Sequence, residues 1–313
     1  SSTGWIGLII FSIGLIGFVA APPVELTILA ALVAGFGVSV VINNFVTSLS
    51  GHYGKQSAVA LTQANAICSI GYVIGTLTVG LVADSFRDQW RIGILAVLPF
   101  VLYLFFFRRI KDEQVHVPHE DGPQGGKLSG HFWISWLGFF ACIASEFAIS
   151  FWAAALIRDR TNATPAIATL AVVAFGSGMA IGRWYGGIVL KKLTVDHQLA
   201  AAITLQLISF MIFWLSHNLI GSLIALFGVG LGISTQFSLS SVRLITLSDN
   251  KPDLAIARSS IAAGLAIGLA PFMLGVLGDQ LGISRAYMMV PVLILISLAI
   301  TLIIPSKIES LRA

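Results

Sequence analysis

Charged residues are scarce in this sequence: Asp, Glu, Lys and Arg make up only 10% of its 313 residues. An ordinary soluble domain contains about 25% of such residues. A chain with so little charge cannot cover a folded surface with polar groups, which excludes an ordinary water-soluble domain. Cysteine is scarcer still, and because Cys68 and Cys142 both lie in apolar stretches, no disulfide framework is indicated.

Motifs for catalysis and metal binding are also lacking in the sequence. It has no phosphate-binding loop, no HExxH motif and no Ser/His dyad at membrane depth. His116 and His119 are too sparse for a metal site. We therefore predict that the protein is not an enzyme and that it uses no cofactor and no metal.

Long apolar runs are abundant. Hydrophobic residues make up 57% of the chain, and the mean hydropathy is +0.92. A helix of about twenty apolar residues crosses a hydrocarbon layer roughly 30 Å thick. Only helices and closed barrels satisfy their backbone in lipid, and barrel strands would be about ten residues of alternating polarity. The sequence therefore predicts an all-α, polytopic membrane helix bundle with spanning runs at 5–20, 26–49, 58–83, 92–107, 132–157, 166–190, 199–215, 219–239, 254–277 and 286–304.

One polar stretch divides these runs. It contains the sequence RRIKDEQVHVPHEDGPQGGK at 108–127, the longest segment that is not apolar. We predict an N-terminal helical bundle at 1–107, a cytoplasmic linker at 108–130 and a C-terminal helical bundle at 131–313.

The basic residues predict the topology. If the N-terminus is cytoplasmic and every run crosses the membrane, thirteen of the eighteen Lys and Arg residues fall on the inner side. This is the bias that the positive-inside rule requires, and the opposite orientation would invert it. The bias also explains the pI of 9.2 without a nucleic-acid partner. We predict a multi-pass protein of a bacterial-type inner (plasma) membrane, with both ends of the full chain in the cytoplasm.

Two short sequences recur in the chain. GFGV at 35–38 resembles GVGL at 228–231, an offset of 193 residues, and GLVAD at 80–84 resembles GVLGD at 275–279, an offset of 195. The repeat unit is then six helices long, but only four helices precede the linker. A five-plus-five repeat would need an offset near half the chain length. We therefore expect a six-plus-six protein with ten of its twelve helices present, and a chain that is part of a longer one.

Three stretches resemble the major facilitator superfamily. GRWYGGIVLKK at 182–192 is similar to the second-half copy of its signature loop, GRxxGGxxxxK/R. DQWR at 88–91 resembles the start of helix six of the family, and 255–275 resembles helix eleven. The resemblance implies a secondary active transporter that works by alternating access. It assigns the signature-loop role to Gly182, Arg183, Gly186, Gly187 and Lys191.

Glu146 is the first candidate for the functional site. It lies about 22 Å into a helix that starts near residue 131, close to the middle of the membrane. A charged group there costs roughly 2.5–3.5 kcal/mol on insertion scales, and such groups usually face a cavity and have a function. Glu146 would couple proton movement or contact the substrate; the alternative is a protonated structural carboxyl. Its spacing from Trp152 resembles helix seven of fucose-permease-like sugar transporters, and Trp152 would be a stacking platform or an interfacial anchor.

The family geometry adds further candidates in helices that would line a cavity. Asn43 and Gln236 are 193 residues apart, so they would be equivalent amides of the two halves, with Asn44 as a weaker neighbour. The alternative is an interhelical hydrogen bond, worth about 0.6 kcal/mol on average. Candidate gating residues are Asp84 and Asp279 at outer helix ends and Arg243 and Arg258 beside an inner loop, which could equally be inside-positive determinants.

The predicted function is proton-coupled uptake of a sugar or another polar metabolite. The alternative is a multidrug or metabolite efflux antiporter, although the antiporter signature expects Gly-Pro where this chain has Gly75-Thr76. A transport-dead sensor is a third alternative. We expect a small-molecule substrate, protons and the lipid bilayer as partners, no nucleic acid, and a monomer.

Overall fold

The computed structural model describes residues 2–20, 23–53, 57–86, 90–106, 126–189 and 193–306, and these ranges contain helices and short connections but no strand. The chain divides into two compact units, Ser1–His119 and Glu120–Ala313. The helices of the first unit are α1 (Ser2–Ala20), α2 (Val24–Tyr53), α3 (Ser57–Ser85), α4 (Trp90–Ile94) and α5 (Leu98–Phe106). Those of the second are α6 (Gly130–Thr161), α7 (Pro165–Val189), α8 (Val195–Leu215), α9 (Leu219–Ile233), α10 (Gln236–Thr246), α11 (Pro252–Leu281), α12 (Ile283–Ala286) and α13 (Met289–Ile303).

The predicted membrane helix bundle is confirmed. In the described part of the chain, nine helical stretches are long and apolar enough to cross a membrane. A tenth, Trp90–Phe106, is shorter and contains a 3-10 turn at Leu95–Val97 between α4 and α5. Large apolar side chains on the outside of the helices are exposed, as expected where lipid replaces water: Ile224 is 68% exposed, and Phe151 and Phe272 are each 65% exposed.

Short polar side chains set the helix ends in the second unit. The Ser129 hydroxyl accepts a hydrogen bond from the Phe132 amide at the start of α6, and Thr194 caps α8 in the same way. Asn162 ends α6 in the left-handed conformation with φ of 50°, which Asn tolerates better than most residues. These caps satisfy backbone groups that a helix end leaves without intrahelical partners.

The first unit is built on a close hairpin of α1 and α2. At Gly37 an added Cβ would lie 2.7 Å from the Phe11 Cα and 2.7 Å from the Gly7 carbonyl oxygen. At Gly14 it would lie 2.7 Å from the Ala34 Cα. Only glycine allows the two backbones to approach this closely, which is a common way for membrane helices to associate.

The second unit is organised around α6. This helix packs against α7, α11 and α13, while α9 packs against α7 and α8. The core includes Phe139, Phe210, Phe213 and Tyr287, each at most 2% exposed, and the rings of Phe210 and Tyr287 stack with centroids 6.0 Å apart. In the middle of α6, residues 141–145 are all buried.

The internal repeat has a different register from the one that the sequence pattern indicates. Gly232 packs on α8 as Gly37 packs on α1: its added Cβ would lie 2.6 Å from the Gln206 amide nitrogen and 2.8 Å from the Ala202 carbonyl oxygen. Gly37 and Gly232 are 195 residues apart, and the same offset relates their partners, Gly7 and Phe11 on α1 to Ala202 and Gln206 on α8. The starts of α2 and α9, and of α3 and α11, have the same offset. One offset of 195 residues therefore relates the two hairpins. The offset of 193 for the sequences at 35–38 and 228–231 was wrong, because the pattern GxG occurs twice in α9, at 228–230 and at 230–232.

Candidate functional site

Glu146 lies at the midpoint of α6 and is partly buried. Among the described carboxyl groups it is the only one far from a helix end; the others lie within about one turn of an end or in a loop. The guanidinium of Arg183 on α7 interacts electrostatically with it. Both residues are partly buried, and the structure therefore places two of the predicted site residues within electrostatic reach of each other.

A chain of hydrogen bonds lies one helical turn from Glu146. The Cys142 thiol donates to Gln236 Oε1 over 2.6 Å, Gln236 Nε2 donates to Gln206 Oε1 over 2.9 Å, and Gln206 Nε2 donates to Ser145 Oγ over 2.9 Å. Ser145 donates in turn to the Cys142 carbonyl. We call Cys142, Ser145, Gln206 and Gln236 the polar cluster. It joins α6, α8 and α10 through side chains that are at most 2% exposed.

Gln236 is thus placed inside the second unit, with its amide group already engaged. Its nitrogen also donates to the Gly232 carbonyl over 3.0 Å. This arrangement is the interhelical hydrogen bond considered above, and a role in substrate binding stays a prediction. Gln206 was not among the predicted site residues, although it is a polar residue in an otherwise apolar run.

Asn43 and Asn44 lie on α2 in the first unit. Asn43 is exposed and Asn44 is partly buried, and a Cβ added at Gly4 of α1 would lie 2.8 Å from Asn44 Oδ1. In the register of 195 residues, Asn43 matches Ser238 rather than Gln236. The two amides are therefore not equivalent positions of the repeat, and a role for Asn43 in substrate binding stays a prediction.

Trp152 packs against α11. Its indole N–H donates to the Pro271 carbonyl over 2.9 Å, and its ring covers Gly275, where an added Cβ would lie 2.9 Å from Cζ2. Trp152 is partly buried and follows Glu146 by six residues on the same helix. It connects the helix that carries the central acid to the proline-containing helix beside it.

The signature-loop glycines lie within the last turns of α7 and allow a close helix crossing. A Cβ added at Gly182 would lie 2.6 Å from the Ser234 Cβ, and one added at Gly186 would lie 2.8 Å from the Thr235 Cγ2. Ser234 and Thr235 form the break between α9 and α10. The glycines are therefore required where α7 crosses this break.

The other predicted gating residues lie on the surface of their units. Asp84 and Asp279 are exposed near the C-terminal ends of α3 and α11, and Arg258 is exposed near the start of α11. Gly187 lies within α7, and Lys191 lies outside the described residues. Their gating roles stay predictions.

Arg243, in contrast, is buried. Its Nε lies 2.6 Å from Asp196 Oδ1, and its terminal nitrogens donate to the Thr301 hydroxyl and carbonyl over 3.4 Å and to the Ile304 carbonyl. The other oxygen of Asp196 accepts from the Ser306 amide over 2.7 Å and from its hydroxyl over 2.9 Å. The sequence analysis placed Arg243 beside an inner loop but did not identify Asp196 as its partner.

An apolar groove of about 440 Å³ opens at the same end of the second unit. It is lined by His131, Ile134, Leu247, Ile300, Ile303, Ile304 and Pro305. None of these residues belongs to the polar cluster, and Glu146 is not among them. The groove therefore adds nothing to the candidate site.

These features define a polytopic helical membrane protein with a central acid in one helix bundle. The sequence profile of the Major Facilitator Superfamily matches residues 2–244. The chain belongs to this family and is a secondary transporter of the membrane.

One solved structure with a similar fold is the E. coli fucose:proton symporter FucP, crystallised as a single-substitution variant. The sequences are 16% identical, the TM-score is 0.61, and the match covers 97% of this chain and 84% of that chain. At this identity the likeness shows the fold alone. Among curated proteins, none matches this sequence at a significant level.

Proposed function

We propose that this protein is a proton-coupled symporter that takes up a sugar or a similar polar solute by alternating access. The observation that carries the proposal is the position of Glu146, a carboxyl at the midpoint of the central helix of the second unit. Burying a charged carboxylate at this depth costs roughly 2.5–3.5 kcal/mol, and a proton removes that cost. The group is therefore suited to binding a proton on one side of the membrane and releasing it on the other.

The similar solved structure is a fucose:proton symporter, which makes a sugar the first solute to test.

The test is transport by the purified full-length protein in proteoliposomes with an inward proton gradient. The probe is radiolabelled L-fucose, with a panel of other monosaccharides as competitors. We expect saturable uptake that a protonophore abolishes. Glu146→Gln should reduce gradient-driven uptake at least about tenfold and leave exchange of internal for external sugar intact, because exchange requires no net proton movement.

Glu25→Gln is the matched control, since Glu25 is exposed in the first turn of α2. It should transport as the unchanged protein does. Loss of both uptake and exchange in Glu146→Gln would assign the carboxyl to substrate contact instead. Unchanged uptake in that variant would contradict any central role for Glu146, and proton-driven export of the probe would favour the efflux alternative.

A further inference from the structure

α10 is a short helix separated from α9 by a break at Ser234–Thr235. The Ser234 hydroxyl donates to the Leu231 carbonyl over 2.7 Å, a local bond that competes with regular helix geometry. α10 contains only eleven residues, Gln236–Thr246. Since a helix this short is marginal by itself, other elements must hold it in place.

Two buried polar residues, one towards each end of α10, fix this helix to its neighbours. Gln236 begins the helix and joins the polar cluster, and Arg243, seven residues later, forms the ion pair with Asp196. Seven residues are about two helical turns, so both side chains lie on the same face. Ser240 lies between them on that face and is also buried.

The contacts of Arg243 are directional. Its guanidinium binds a carboxylate on one edge and backbone carbonyls at the C-terminal end of α13 on the other. A helix C-terminus carries partial negative charge, which favours a cation there. Asp196, in the first turn of α8, accepts from the Ser306 amide just beyond α13. The pair therefore connects α8, α10 and the end of α13.

We propose that Arg243 and Asp196 are a positioning pair that fixes α10 against the ends of α8 and α13 and thereby holds Gln236 against the Cys142 thiol. The pair acts within the second unit and touches neither substrate nor Glu146. Its consequence for transport, which rests on the proposed function, is that the helix carrying Glu146 and its neighbours move together.

The test uses the Cys142 thiol of the purified protein as a reporter of the position of α10. Alkylation of Cys142 by N-ethylmaleimide is followed by peptide mass spectrometry in detergent. In the unchanged protein Cys142 is 2% exposed and its thiol donates to Gln236, so labelling should be slow. Arg243→Lys keeps the charge but loses the forked contact to the α13 carbonyls, and it should be labelled at least about tenfold faster.

The charge-swapped double variant Arg243→Asp with Asp196→Arg separates this proposal from simple charge attraction. It restores opposite charges, but it directs a carboxylate at carbonyl oxygens and a guanidinium at the Ser306 amide, so it should not restore slow labelling. Ser241→Ala is the control on the same helix, because Ser241 donates to the Phe237 carbonyl within α10. It should be labelled as slowly as the unchanged protein.

Slow labelling of Cys142 in both Arg243→Lys and the swapped variant would overturn the proposal. Labelling of the swapped variant alone that is as slow as in the unchanged protein would also overturn it. If the swapped variant does not fold, Arg243→Lys decides. In proteoliposomes, Arg243→Lys should lower the turnover of L-fucose and leave its KM unchanged, whereas a residue that contacts substrate would change KM. If the unchanged protein transports nothing, the proposed function fails, while the labelling of Cys142 still decides on the positioning pair.

Discussion

Gln206 and Gln236 illustrate how single residues join helices in this protein. Each amide bonds a side chain of a different helix, and the pair is at most 1% exposed. In a membrane, apolar burial does not drive one helix toward another, because lipid is as apolar as the helix surface. Interhelical hydrogen bonds and close backbone packing have to supply specificity instead.

A double-mutant cycle with Gln206→Leu and Gln236→Leu should therefore reveal coupling. We expect a favourable interaction of about 0.6 kcal/mol and not more than about 1.7 kcal/mol, because the unfolded chain in a membrane also finds partners for its amides. The measurement is the free energy of unfolding in detergent. Gln198→Leu combined with Gln236→Leu is the control, since Gln198 donates to the Leu193 carbonyl beside its own helix, and no coupling is expected.

Some of these residues could be predicted from the sequence and others could not. Glu146 is an acid within a long apolar run, so its cost of burial makes it conspicuous. Asp196 and Gln206 both lie in α8, and their importance comes from partners far away in sequence, at 243, 306 and 236. A single sequence does not contain that pairing.

At the scale of elements, glycine determines which helices can approach each other. Gly37 and Gly35 are two residues apart on α2, but they face different directions. An added Cβ at Gly37 would meet the backbone of α1, whereas one at Gly35 would meet no atom of the described residues within 4 Å. The two positions give a matched comparison on one helix.

Gly37→Ala should destabilise the first unit by about 1–3 kcal/mol, because the new methyl group forces α1 and α2 apart. Gly35→Ala should be neutral or stabilising by up to about 1 kcal/mol, since alanine favours helix and meets no neighbour there. The measurement is the unfolding midpoint of each variant in the same detergent. Equal loss of stability in both variants would contradict the close packing at Gly37.

The helices themselves were largely predictable, but their interruptions were not. All ten apolar runs correspond to helical stretches, and most boundaries differ by only a few residues. The break between α9 and α10 was missed because Ser234 and Thr235 lie inside the predicted run 219–239, where no proline marks an interruption. The register of the repeat was also missed, since it depends on which backbone each glycine touches.

At the scale of the whole molecule, the distribution of basic residues predicts the orientation. Thirteen of the eighteen Lys and Arg residues would be on the cytoplasmic side. Lys127, just before α6, would then face the cytoplasm, and His217, between α8 and α9, would face outward. Both side chains are exposed.

Lys127→Cys and His217→Cys, made in a background with Cys68→Ser, should report this orientation. A membrane-impermeant maleimide should label residue 217 in intact spheroplasts, and residue 127 only after the membrane is made permeable. Inside-out vesicles should give the reverse. Labelling of both from the same side would be inconsistent with the topology, because α6, α7 and α8 lie between them.

Arg243 is synthesised well before the residues that accept its hydrogen bonds, since Thr301 and Ile304 lie near the end of the chain. While the nascent chain still ends before them, Asp196 is the charged partner available to it among the residues described here. A guanidinium without its acceptors is costly in lipid, so α10 should remain near the aqueous interface until α13 has left the ribosome. The placement of α10 would then be completed only by residues that are made much later than the helix itself.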